Sequence, residues 1–120
     1  MSTTVYVVEP DPSEQLWIRS ALASSVDAII FLDGAALLAS PPCVEGACVI
    51  ASAEPDQAAT LKLVRDLRSS CAKLPVIVLG SHSAFRLAVD IARLAATDFL
   101  ERPVSIRQLR AAVRKALAAA

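Results

Sequence analysis

Acidic side chains gather at two points of this sequence: Glu9 and Asp11 flank Pro10, and Glu54 and Asp56 stand together much later. Held in one crevice, such carboxylates could bind Mg²⁺, a hard cation that takes oxygen ligands. Taken singly, the same acids form turns and cap helices, accepting the free N–H groups of a first helical turn. Other chemistries are poorly supplied. A nucleotide site of the common α/β type needs a glycine-rich loop after its first strand, so that backbone N–H groups can approach phosphate. The chain has three glycines, Gly34, Gly46 and Gly80, and none follows the first apolar run. Three cysteines, Cys43, Cys48 and Cys71, have no CxxC spacing, and the lone His82 cannot complete a metal cluster. Neither a disulfide framework nor a zinc site is expected. Cys48 lies in an apolar run and reads as a small core residue.

The elements that position these residues must fit into 120 residues, enough for one domain and too few for two, so residues 1–120 are read as one unit. A hydrophobic content of 55% excludes intrinsic disorder. Apolar runs such as Val76–Leu79 fall far short of the ~20 residues of a spanning helix. No basic start leads into an apolar segment, so a cytoplasmic protein without membrane contact is expected. Lysines and arginines balance the acids at 12 each, but unevenly along the chain. Residues 1–60 hold one basic residue against eight acids, and residues 61–120 hold eleven against four. That asymmetry favours charge-steered contact with a partner; its plainer reading is two sets of solvated helix faces.

Two periods alternate along the chain. Strands are predicted at Val5–Val8, Ala28–Leu32, Ala47–Ala51, Pro75–Leu79 and Asp98–Leu100. Helices are predicted at Ser13–Ala23, with Leu16, Trp17, Ala21 and Leu22 at helical spacing, and at Gly34–Ala39, Ala58–Ser69 and Ser83–Leu94. A last helix starts at Ser105, where Gln108 completes a capping box and Ile106, Leu109, Val113 and Leu117 turn inward. Five β-α units with continuous apolar strands imply a parallel sheet covered on both faces. Right-handed crossovers then give the flavodoxin-like order 2-1-3-4-5. In such a sheet the functional crevice opens at the carboxyl ends of the strands. Four loops meet there: Glu9-Pro10-Asp11, Ser52-Ala53-Glu54, Gly80-Ser81-His82 and Glu101-Arg102-Pro103.

Those loops carry a family resemblance. Val5-Tyr6-Val7-Val8-Glu9-Pro10-Asp11-Pro12 resembles the opening of a response-regulator receiver domain, where two adjacent acids bind Mg²⁺. Leu74–His82 resembles the fourth strand and its loop, and Ala96–Pro103 the fifth strand with its closing Lys-Pro. The likeness spans almost the whole chain and is closest to receivers of the NarL/FixJ type. The resemblance also marks departures. The acceptor Asp at the end of strand 3 falls on Ala51, counting back from Pro55, or on Ser52 with a shift of one. The first Mg²⁺-binding acid is Glu9, and Pro10 replaces the second. The switch hydroxyl falls on Gly80, with Ser81 next to it. The switch aromatic is Phe99, and Arg102 stands where the family has lysine.

Phosphotransfer to such a domain needs an attacking carboxylate, a divalent ion and a cation to hold the product. This chain lacks the first and half of the second, and Ser52 has no His or Lys placed to activate it. Beside Glu9, Arg102 could fill the metal position by a charge-assisted pair; as an exposed residue it would have no fixed partner. The resemblance therefore implies a non-enzymatic receiver with weak or no Mg²⁺ binding and no other cofactor. It would act by protein contact or dimerisation, with transcriptional output through a DNA-binding domain outside these residues. The implied interaction face, of helix 4, strand 5 and helix 5, carries Arg86, Asp90, Arg93, Asp98, Glu101, Arg107, Arg110 and Arg114. A small-molecule sensor, or a receiver phosphorylated at a non-standard residue, is the alternative.

Overall fold

A computed structural model describes residues 3–23, 26–39, 46–81, 85–93 and 98–119. His82 and Cys43 lie outside them, as do the outer ends of the helix expected at Ser83–Leu94. Among the described residues five strands, β1 (Thr4–Val8), β2 (Asp27–Phe31), β3 (Ala47–Ser52), β4 (Val76–Gly80) and β5 (Asp98–Glu101), alternate with five helices. These are α1 (Pro12–Leu22), α2 (Gly34–Leu38), α3 (Gln57–Ser70), α4 (Phe85–Arg93) and α5 (Ile106–Ala119). All strand pairs are parallel and the order is β2-β1-β3-β4-β5, as the pattern of apolar runs implies. β3 and β4 are buried along their whole length, which is why they read as unbroken apolar runs.

Alternation along the strands feeds two cores. Val5, Val7, Ile50, Ile77 and Leu79 pack with Ile18, Leu22, Leu109 and Val113 of α1 and α5. Val49, Ala51 and Val78 pack on the other face with Leu37, Leu63, Leu67, Leu87 and Ile91 of α2, α3 and α4. Two side chains depart from the expected pattern. Leu16 is 67% exposed, and Ile18 takes the buried place on α1. Ile106 is 46% exposed, because in the first turn of α5 the core side of the helix begins at Leu109. The capping box holds: Gln108 N donates to Ser105 Oγ at 3.0 Å, and Ser105 N to Gln108 Oε1 at 2.8 Å.

Cys48 is a fully buried free thiol whose pKa burial pushes up to about 12, so it is inert. Cys71 is disulfide-bonded, a single bridge rather than a disulfide framework. Among the described residues no helix is long and apolar enough to cross a membrane.

Candidate functional site

The strand ends are extended by one residue each, which brings the loops into line. Glu9 N donates to Phe31 O at 3.0 Å, Ala53 N to Leu79 O at 2.8 Å, and Arg102 N to Gly80 O at 2.7 Å. Val8 pairs with Ala51, so Glu9 and Ser52 follow side by side at the head of the central strands. Alternation then decides which of Ala51 and Ser52 faces the crevice. Ala51 packs into the core against α3 and α4, whereas Ser52 lines an open cleft of about 490 Å³ with Glu9, Pro10, Asp11, Glu14, Glu54, Pro55 and Arg102.

The acids divide into two kinds. Asp11 caps α1, accepting from Ser13 N at 2.9 Å, and Asp56 caps α3, accepting from Ala59 N at 3.1 Å. Glu9 and Glu54 instead turn into the cleft. Glu9 is 2% exposed and accepts from Asp11 N at 3.1 Å. Burial raises its pKa above the ordinary value of 4.5, outweighing the Asp11 N–H, the Ser52 hydroxyl and the Arg102 charge. Glu54 reaches across the sheet, its Oε1 accepting from Ser81 N at 3.0 Å.

Arg102 binds the cleft together. Its Nη1 donates to Glu14 Oε2 at 2.9 Å, and its Nη2 to Ser52 Oγ at 2.9 Å and Glu9 Oε1 at 3.4 Å. Its Nε lies 3.5 Å from Glu54 Oε1. The Ser52 hydroxyl donates to Glu54 O at 3.2 Å, while its carbonyl accepts from Thr60 Oγ1 at 2.8 Å. Glu14, Thr60 and Gln15, whose Nε2 donates to Glu9 O, were not singled out by the sequence. Only for Glu14 was there a signal, since it sits one helical turn beyond Asp11.

Behind the cleft, Gly80 and Phe99 are in close contact: a Cβ at position 80 would stand 2.7 Å from Phe99 Cζ. Arg86, Arg93, Glu101 and Arg107 are exposed, and Asp90 and Asp98 half-buried. Arg110 turns towards α1, donating from Nε to Ala21 O at 2.6 Å, and Arg114 lines a hollow with Leu22 and Val26.

No family model matches the chain. Its sequence is nonetheless 30% identical over 117 residues to the transcriptional regulatory protein FixJ of Azorhizobium caulinodans, a match covering 97% of this chain and 56% of that protein. The C4-dicarboxylate transport transcriptional regulatory protein DctD of Pseudomonas aeruginosa is 32% identical over 116 residues, covering 96% of this chain and 25% of that one. The crystal structure of FixJ-N superimposes with a TM-score of 0.87 at 21% identity, covering 98% and 95% of the two chains. In sequence and fold the chain resembles a response-regulator receiver domain. The chain spans about half the length of the FixJ relatives it matches. The cleft lies where the doubly wound fold places a ligand, outside the carboxyl ends of the strands.

Proposed function

We propose that this receiver signals without taking up phosphate, through contact with a protein partner or a second copy, and serves a transcriptional output domain in a longer parent protein. One observation carries the reading: the head of β3 offers the cleft a serine hydroxyl, bonded to a guanidinium and a backbone carbonyl, where phosphorylation would need a free carboxylate. In this reading Ser52 holds the acceptor position and Ala51 belongs to the core. Nucleophilic attack by Ser52 would need a base to take its proton; the hydroxyl lies against Glu54 O and Glu9, and the Glu9 carboxylate is itself paired with Arg102.

In this reading Mg²⁺ is not held either. One carboxylate oxygen each of Glu9 and Glu54 is already paired with Arg102, and the side chain of Pro10 adds no ligand atom. The donor set does not fit the near-octahedral shell that Mg²⁺ demands. Partner contact is assigned to the exposed mixed-charge surface of α4, β5 and α5. Intact-mass measurement after incubation with acetyl phosphate and Mg²⁺ tests the reading. No added phosphoryl group is expected; stoichiometric labelling would overturn it.

A further inference from the structure

A second hollow lies at the opposite end of the sheet from the cleft, where Thr3 leads into β1 and Val26 into β2. It holds about 220 Å³ between the end of α1 and the last turns of α5. Its lining is apolar: Leu22 and Val113 are buried, and Val26 and Leu117 pack half-buried against the same core. The charged residues lining it are Arg110 and Arg114, four residues apart and so on one face of α5. That helix carries four basic residues and no acid, so its own surface supplies no counter-charge. Arg110 is held in place, donating from Nε to Ala21 O at 2.6 Å, one of the carbonyls that the end of α1 leaves unpaired. The bond uses one of five guanidinium donors and leaves both η nitrogens. Among the described residues neither arginine forms an ion pair, and Asp27, the acid next to Val26, is exposed and pairs with neither. The ends of α1 and α5 bring about half a negative charge each, which two full positive charges exceed.

We propose that this hollow binds a small apolar monocarboxylate, its carboxylate paired with Arg110 and Arg114 and its hydrocarbon body against Leu22, Val26, Val113 and Leu117. The planar fork of a guanidinium matches the two oxygens of a carboxylate, and a pair of charged partners makes the stronger kind of hydrogen bond. Small-molecule sites set a few polar groups in an apolar lining, and those for drug-sized ligands occupy about 300–1,000 Å³. At about 220 Å³ this hollow suits a smaller body, a single ring or a short chain. It shares no lining residue with the Arg102 cleft, so its occupancy is independent of phosphate chemistry.

Benzoate and hexanoate are the probes, with acetate as the charge alone and hexanol as the body alone. Each is titrated into the isotope-labelled full chain at neutral pH and matched ionic strength, and backbone amide shifts are followed by NMR. Saturable shifts are expected at Leu22, Val26, Val113 and Leu117 with benzoate, hexanoate or both. Acetate lacks the buried hydrocarbon and hexanol the charge-assisted pair, so each should bind about tenfold or more weakly. Arg114 is exposed and makes no bond to the fold, so Arg114→Gln should leave the spectrum native and lower probe affinity by about the same factor. Arg110→Gln gives a second measure of the same pairing. No saturable shift with either probe would overturn the proposal, as would shifts centred on Glu9, Ser52 and Arg102. Acetate binding as tightly as hexanoate, or full affinity in both arginine variants, would overturn it too.

Discussion

Glu9 shows how one buried residue sets the behaviour of a site. Its carboxyl is almost fully enclosed, and burial raises its pKa despite three groups that favour the ionised form. An acid with a raised folded-state value holds its proton longer in the folded chain than in the unfolded one. Its stabilising contribution is therefore fully present below 4.5 and is lost as pH rises through the folded-state value. Glu9→Gln cannot ionise and its amide oxygen can still accept a hydrogen bond. The variant is expected to gain stability relative to the unmodified chain as pH rises from 4.5 towards neutrality, measured as a difference in thermal midpoint. A constant difference across that range would refute the assignment. Glu9 was legible in the sequence because it ends a strand. The choice between Ala51 and Ser52 was not, because residue counting from Pro55 and the alternation of β3 point to different side chains. The pairing of Arg102 with Glu9 was read, but its contacts with Glu14, Ser52 and Glu54 lay beyond reading, since side-chain reach across loops leaves no pattern along the chain.

Among the elements, strands were read within a residue or two because apolar runs end where loops begin. Helix faces were read less well. Leu16 and Ile18 are both apolar, and only the packing of α1 against the sheet shows which is buried. Thr60 illustrates the same limit: a polar residue on α3 is buried because its hydroxyl holds the last carbonyl of β3 at 2.8 Å. Thr60→Val keeps the shape and leaves that carbonyl short of a partner, so a loss of about 1–3 kcal/mol in denaturant unfolding is expected. No loss would mean the bond does not anchor β3. β4 and β5 are coupled through Gly80 and Phe99. Gly80→Ala places a methyl 2.7 Å from Phe99 Cζ and 3.1 Å from Ala53 Cβ, so the ring must move. Overpacking of this kind costs about 1–3 kcal/mol. Phe99→Leu in the same chain should recover part of it. Strictly additive effects in the double-mutant cycle would contradict the contact.

For the whole molecule, the order β2-β1-β3-β4-β5 brings β1 and β3 together at the centre and so gathers Glu9, Ser52, Glu54 and Arg102 at one end of the sheet. That much followed from five alternating units and the handedness of their crossovers. In a switchable receiver, phosphate must favour one of two conformations, and a ligand shifts such a balance only by its difference in affinity for them. Here Arg102 already ties the loops after β1, β3 and β5, and Phe99 already fills the space beside Gly80. One conformation should therefore persist whether or not a phosphate mimic is supplied. The direct measurement is a beryllofluoride titration in Mg²⁺ of the unmodified chain, followed by sedimentation velocity and Trp17 fluorescence, with Pro10→Asp/Ser52→Asp as the restored comparison. The expected result is an unmodified chain unchanged in both signals at saturating beryllofluoride. A stoichiometric change in either signal from the unmodified chain would contradict signalling without phosphate.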